Sequence, residues 1–406
     1  MRPRTADAGG IAARVAGMPP RSSRSAPQQP GWRHDRAFDD VVEALSAAPP
    51  LVSAAEVLEL RLRLAAVADG RAMLLQTGDC SEDMAEVSRP DTDAKARLLD
   101  ELAGRLEGAA GRPVLRVGRM GGQFAKPRSQ PYDSAGGRRL PAFRGHMINS
   151  EVATEEARRH DPHRMMLAYQ ASAGVIGRLR ETRLARGVRA AGADGPWASH
   201  EALVLDYETA LTRWHDESRE LYLASTHLPW IGERTRRPDG AHAQLMAAIE
   251  NPVGCKIGPT AGPDDVAALC EVLDPNRLPG RLVLISRMGA GLVGERLESL
   301  VRRVRAGGHP VVWLCDPMHG NTRRTHEGLK TRRLGDMIDE AVQFRRVLED
   351  VGVPVGGLHL ETAVRPVTEC VGGNVVTDNE VPTCYESLCD PRLNADQAHR
   401  LIDSFL

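Results

Sequence analysis

One device, repeated along the chain, constrains the fold more than anything else in the sequence. A short apolar run of strand character stops at a turn that carries a charged or metal-binding side chain. The clearest copy is Val311–Cys315, β-branched and aromatic, which breaks at Pro317 and Gly320 and delivers His319. Ala72–Leu75 leads to Gln76-Thr77-Gly78-Asp79-Cys80, Val114–Val117 to Arg119, and Glu220–Ala224 to Trp230-Ile231-Gly232-Glu233-Arg234. Val253–Ile257 carries Lys256, and Leu282–Ser286 ends at Arg287. Val355–Leu360 ends at Glu361, and Cys384–Cys389 at Asp390-Pro391-Arg392. Helical stretches at 262–273, 292–305 and 334–351 separate several of these runs. Strands alternating with helices predict a parallel sheet closed into a (β/α)8 TIM barrel. A doubly wound open sheet satisfies the same alternation and is the competing architecture. The connection after the second strand, residues 120–218, is too long for a loop and reads as an insertion with a helix near 200–215.

Residues 1–30, rich in Arg, Ala, Gly, Pro and Ser, read as a disordered tail. Residues 31–406 read as a single barrel domain that includes two N-terminal helices divided at Pro49-Pro50. A formal net charge of -1 gives no support for nucleic-acid or anionic-membrane partners, and no apolar run is long enough to span a bilayer. Seven cysteines, an odd number without a CxxC pair, read as reduced thiols and point to the cytoplasm.

In a barrel the carboxyl ends of all strands share one face. Any one polar residue there is explained by turn chemistry, and any one Arg by a surface ion pair; the succession is what asks for a function. Cys80, His319, Glu361 and Asp390 are a sulfur, an imidazole and two carboxylates. That mixture suits Mn, Co, Fe or Zn better than Ca or Mg. Arg119, Lys126, Arg128, Arg234, Lys256, Arg287 and Lys330 form a cationic set suited to phosphate and carboxylate. Lys256 lies inside an apolar run, where an ammonium is costly unless paired. Gly118–Ser129 reads as a flexible loop with a phosphate-gripping tip, and it lacks the GxxxxGK[ST] pattern.

Several longer motifs accompany these residues. They are Leu75–Cys80, Gly122-Gln123-Phe124-Ala125-Lys126-Pro127-Arg128-Ser129, Ser199–Glu208, Trp230–Arg236, Asn251–Lys256, Ser286–Gly289, Asp316–Thr322, Gly328–Arg332 and Cys389–Asn394. With them, in order and over nearly the whole chain, the sequence resembles the class II (plant-type) 3-deoxy-D-arabino-heptulosonate 7-phosphate (DAHP) synthases, in a short form like those of secondary-metabolite gene clusters. The resemblance implies a barrel that condenses phosphoenolpyruvate with erythrose 4-phosphate, a divalent metal (Mn2+ or Co2+ first, Zn2+ or Fe2+ next) and a homodimer or higher homo-oligomer. It places Cys80, His319, Glu361 and Asp390 on the metal. It places Arg119, Lys126, Glu233, Arg234, Lys256 and Arg287 around phosphoenolpyruvate, and Arg128 and Ser129 at the aldose phosphate; Lys330 belongs to the same substrate-binding set. Glu233, Lys256 and His319 are the expected catalytic groups. His146, where many members carry an acid, and Ala290–Val293, where many are more polar, are departures. They leave an imino-sugar phosphate, giving aminoDAHP, as the alternative substrate. A metal-dependent hydrolase and a non-catalytic modulator of a true synthase are the competing classes.

Overall fold

The computed structural model describes residues 25–135, 137–186 and 195–406. Two helices precede the first strand: α1, Phe38–Ala47, and α2, Ala54–Ala68, which Ser53 and Glu56 start with a reciprocal capping box. The remaining elements in order are β1 (Met73–Gly78), α3 (Arg89–Ala110), β2 (Val114–Arg119), the hairpin β3 (Tyr132–Ala135) and β4 (Arg138–Pro141), α4 (Glu155–Arg158) and α5 (His163–Arg186). Next come β5 (Trp197–Glu201), α6 (Leu205–Ala210), the hairpin β6 (Thr212–His215) and β7 (Glu220–Leu223), β8 (Leu228–Ile231), α7 (Ala241–Ala247) and β9 (Val253–Ile257). Then follow α8 (Pro263–Leu273), β10 (Leu282–Ser286), α9 (Val293–Ala306), β11 (Val312–Cys315) and the small pair β12 (Arg323–Arg324) and β13 (Lys330–Thr331). The chain ends with α10 (Leu334–Val351), β14 (Gly357–Glu361), a 3-10 turn (Asp378–Cys384) and α11 (Ala395–Phe405).

Eight parallel strands close in the order β1-β2-β5-β8-β9-β10-β11-β14 and back to β1. The barrel is therefore the expected one, and its interior is aliphatic and indole-lined: Leu74, Leu115, Trp197, Trp230, Ile285 and Leu314. Leu60, Leu64 and Val67 of α2 join that cluster and plug the amino end. Gly280, at φ +76°, lies under α2 so closely that a Cβ would come within 2.1 Å of the Arg61 carbonyl oxygen. With the amino end stoppered, the polar chemistry is confined to the carboxyl end.

Four details of the expectation are corrected. Glu220–Ala224 supplies β7, an arm of an outer hairpin, and Cys384–Cys389 is not a strand. Asp390 accordingly sits in the loop between the 3-10 turn and α11. The two strands that replace them are β5 and β8; Trp197-Ala198-Ser199-His200-Glu201 is too polar to read as a strand, and Pro229 argues against one at Leu228–Ile231. The helix expected near 200–215 shrinks to α6, because Trp197–Glu201 is drawn into the barrel ladder against β2 and β8. Of the expected disordered tail, residues 1–24 lie outside the described residues. Its last residues form a strap across the barrel top, where Gln28 exchanges hydrogen bonds with the Arg128 backbone and Gln29 bonds Leu203 O and Leu205 N.

Candidate metal centre and anion-binding face

The carboxyl ends of the strands bring Cys80, Glu361 and Asp390 together, each with a ligand atom within 4.8 Å of the others. His319 joins them: its Nε2 is 3.1 Å from Glu361 and 4.0 Å from Asp390. Cys80 begins the loop after β1, Glu361 ends β14, and Asp390 is carried in by a backbone N–H that donates to Cys80 Sγ at 3.0 Å. The positive charge these groups surround is the Lys126 ammonium, 3.3 Å from Cys80 Sγ, 3.1 Å from Glu361, 3.1 Å from Asp390 and 3.4 Å from His319 Nε2. A sulfur, an imidazole and two carboxylates around one cation fit a divalent transition metal. Lys126, expected beside a substrate, is here the stand-in for that cation.

The surroundings hold the carboxylates ionised. Burial pushes Glu361 up, but His319, Lys126, Arg332 and Arg119 outweigh it and keep the carboxyl well below its usual range. Asp390 is likewise held down against burial by Lys126 and Lys330, whose ammonium lies 2.7 Å away. The Cys80 thiol is pushed well up, by burial first and then by its contact with Cys389, with Lys126 opposing. A divalent cation at the cluster would invert that environment and favour the thiolate.

A chain of barrel side chains aims Arg119 at this centre. Gly118 O accepts from Ser199 Oγ at 2.8 Å, Ser199 accepts from Gln76 Nε2 at 3.0 Å, and Gln76 Oε1 lies 2.7 Å from His359 Nδ1. His359 Nε2 meets Arg119 Nη1 at 2.5 Å, while Arg119 Nη2 donates to Glu361 at 2.9 Å. Burial, Lys256 and Arg119 keep the His359 imidazole neutral, so Nδ1 carries the hydrogen given to Gln76 and Nε2 accepts. Arg332 is fully buried and donates to the other oxygen of Glu361 at 2.9 Å.

Lys256 finds the partner its apolar strand demands. Its ammonium sits 2.8 Å from Asp316 and 3.3 Å from His319 Nδ1, and burial lowers its pKa against the pull of Asp316. Arg287 donates to His319 O at 3.0 Å. Glu233 accepts from Gly258 N at 2.6 Å and pairs with Arg236 at 3.1 Å. A Cβ on Gly258 would stand 2.8 Å from both Arg287 Nη1 and the Glu233 carboxyl carbon, so Lys256, Arg287 and Glu233 share one corner.

The structure does not gather every expected residue. Arg234 is exposed at the rim. Arg128 turns to Asp133 at 3.0 Å and Ser129 is exposed; both line a separate cavity beside the N-terminal strap. Three residues escaped the sequence reading. Asp316 and Arg332 act on Lys256 and Glu361 from positions 60 and 29 residues away; they lie in the noticed motifs Asp316–Thr322 and Gly328–Arg332 but had no assigned role. Glu201 ends β5 with Oε1 buried, unpartnered and tucked under Gly232, its carboxyl raised by burial against Lys256, Lys126 and Arg119. It sits within a motif already noticed, Ser199–Glu208, but without an assigned role.

Fold and face together define a (β/α)8 barrel whose carboxyl end pairs a candidate metal-ligand cluster with converging cations. Residues 19–190 and 186–404 match the class-II DAHP synthetase family, and the chain belongs to it. It is 44% identical over 371 residues, 91% of this chain and 92% of the relative, to a protein from Pseudomonas fluorescens named probable phospho-2-dehydro-3-deoxyheptonate aldolase. It is 40% identical over 417 residues, 92% of this chain and 93% of the relative, to the phospho-2-dehydro-3-deoxyheptonate aldolase of Streptomyces coelicolor. A solved structure of that title from Francisella tularensis covers 90% of this chain and 97% of its own at a TM-score of 0.53 and 14% identity, a likeness of fold. No helix among the described residues is long and apolar enough to cross a membrane.

Proposed function

We propose that the chain is a DAHP synthase that condenses phosphoenolpyruvate with erythrose 4-phosphate and releases phosphate. The observation that carries the reading is the convergence of Cys80, His319, Glu361 and Asp390 with Lys126, Lys256, Arg119 and Arg287 on one barrel face. The relatives' names favour this reaction over an imino-sugar substrate and over a non-catalytic role.

Arg119, Lys256 and Arg287 bind the carboxylate and phosphate of phosphoenolpyruvate, orienting its C3 toward the aldehyde. Arg128 and Ser129 take the phosphate of the aldose, with Lys330 and Arg234 nearer the rim. Cys80, His319, Glu361 and Asp390 would hold a divalent cation, manganese or cobalt before zinc or iron, which would supply Lewis acidity for the aldehyde. C3 forms the new carbon–carbon bond, water adds at C2, and phosphate leaves with cleavage of the C2–O bond. Glu233 positions that water. Lys256, its ammonium weakened by burial, delivers a proton to the nascent alkoxide and is recharged through His319 and Asp316. A cytoplasmic homo-oligomer serving the aromatic pathway or a secondary-metabolic branch completes the reading; all seven cysteines are free thiols.

The test is a product mass spectrum with phosphoenolpyruvate and a panel of aldose phosphates. Phosphate release that requires both partners, with DAHP as product, supports the assignment. Phosphate release from phosphoenolpyruvate alone would point to a hydrolase.

A further inference from the structure

The strap across the barrel top is pinned at both ends. Ser25 O accepts from Ala241 N at 3.0 Å, and the buried indole N–H of Trp32 donates to Asp206 at 3.2 Å. Between them Gln29 bonds Leu203 O at 2.8 Å and Leu205 N at 3.0 Å, Gly31 N donates to His160 Nδ1 at 3.0 Å, and Arg144 donates to the carbonyls of Gln28 and Gln29. Gln28 itself has φ +64°, a left-handed backbone that costs a non-glycine residue energy and persists only where its surroundings impose it. The turn brings its side chain to Arg128, 100 residues away. Gln28 Oε1 accepts from Arg128 N at 3.0 Å, and Nε2 donates to Arg128 O at 3.1 Å. One side-chain amide thus satisfies both main-chain groups of Arg128, as a neighbouring strand would, and among the described residues nothing else bonds them. Gln28, Arg128 and Ser129 line the same cavity.

We propose that Gln28 is a positioning residue for the aldose phosphate: its amide fixes the main chain of Arg128, so that the Arg128 guanidinium and the neighbouring Ser129 hydroxyl are presented to the phosphate together. The inference rests on the proposed function, in which Arg128 and Ser129 receive that phosphate. Arg128 lies between β2 and β3, outside any strand ladder. An unclamped loop there would have to be ordered by the ligand, and the ordering cost would come out of the binding free energy. Gln28 orders it beforehand, and the left-handed turn that allows this is held by Arg144 and Gln29 rather than by the clamp. The effect is confined to one substrate. Arg119, Lys256 and Arg287, which serve phosphoenolpyruvate, take their partners from Glu361, Asp316 and His319 and make no hydrogen bond to the strap.

The test is steady-state kinetics on the full, metal-loaded chain, each substrate varied in turn, with the variants Gln28→Gly and Gln28→Leu. Glycine adopts a left-handed φ readily, so Gln28→Gly keeps the path of the strap and removes only the amide. Gln28→Leu removes the amide at nearly the same size. In both, the KM for erythrose 4-phosphate should rise about tenfold, while the KM for phosphoenolpyruvate stays within about twofold of the parent's. Amide hydrogen exchange at Arg128 should quicken in both. If Gln28→Leu fails to fold, Gln28→Gly carries the test alone. Gln28→Gly with the parent's KM for erythrose 4-phosphate would overturn the proposal, because the course of the strap and not the amide would then matter. An equal rise in both KM values would also overturn it, by showing a general disturbance of the face. A parent that forms no DAHP would count against the catalytic assignment alone. The clamp is still tested there, because exchange at Arg128 needs no turnover, and exchange unchanged in Gln28→Gly would overturn it.

Discussion

Glu340 offers a perturbation whose sign reverses with pH. It projects from α10, fully buried, and its Oε1 accepts from Met288 N and Gly289 N at 2.8 Å each, while Oε2 accepts from Asn321 Nδ2 at 2.7 Å. It thereby ties the loop after Arg287 to the loop after His319. Burial raises its pKa from 4.5 to about 7, against those three donors and with Asp316 adding to the rise. The folded chain thus holds this proton more tightly than the unfolded chain. Glu340 contributes its full stability below the unfolded value and loses it as pH rises toward and through the folded one. The shift corresponds to about 3 kcal/mol, nearly all of it lost by about pH 8. Glu340→Gln abolishes the titration and keeps the Oε1 acceptor. It turns an NH2 toward the Asn321 amide, whose own Oδ1 is committed to Ala290 N and whose Nδ2 also serves Pro317 O. That donor–donor contact costs roughly 1–3 kcal/mol at every pH. The variant should therefore be less stable than the parent near pH 5, and the gap should close or invert by about pH 8.5. Urea midpoints of both proteins across that range, read as a difference so that other titrations cancel, measure it. A gap that does not change with pH would refute the reasoning.

Exhaustive chelation should abolish turnover and added Mn2+ or Co2+ restore it, and Cys80→Ser should keep the fold while weakening metal binding in a direct titration, since a hydroxyl replaces a thiolate poorly. Lys256→Ala and Arg287→Ala should each raise the KM for phosphoenolpyruvate and lower kcat, a combined loss of about 2–4 kcal/mol; steady-state kinetics with either substrate varied would show it. Arg332→Met leaves one oxygen of Glu361 without its buried partner and should weaken metal affinity by roughly 10–100-fold; calorimetric affinity equal to the parent's would remove Arg332 from the support of the centre.

The barrel was legible because its device repeats: where a run such as Val253–Ile257 or Leu282–Ser286 is continuous and apolar, burial on both faces requires that composition. It failed where composition and position conflict. β5 is polar because Ser199 hydrogen-bonds Gln76 and Gly118 O across the barrel while His200 pairs with Glu208, and β8 carries Pro229 opposite His200 in the ladder. Glu220–Leu223 alternates convincingly but pairs with β6 outside the barrel. The candidate metal set was singled out by ligand type and by the family resemblance, and the structure brings Cys80 and Asp390 together across 310 residues. The roles of Asp316 and Arg332, which support it, were not legible, although both lie in motifs that were noticed. Their roles lie in contacts that only closure of the barrel creates.

The ladder around that barrel is uneven. β1 and β2 pair over six residues and β1 and β14 over five, but β2 with β5, β8 with β9 and β11 with β14 pair over two each. Mechanically the wall is three arcs joined at three thin seams: β14-β1-β2, β5-β8 and β9-β10-β11. Each arc brings its own share of the chemistry. Glu361, Cys80 and Arg119 come with the first, Glu201 and Glu233 with the second, and Lys256, Arg287 and His319 with the third. Sub-global opening should begin at the seams, where the fewest backbone bonds hold the wall. A ligand that engages all three arcs must close every seam at once, so amide exchange at Gly118, Ile231 and Leu314 should slow together when both substrates bind.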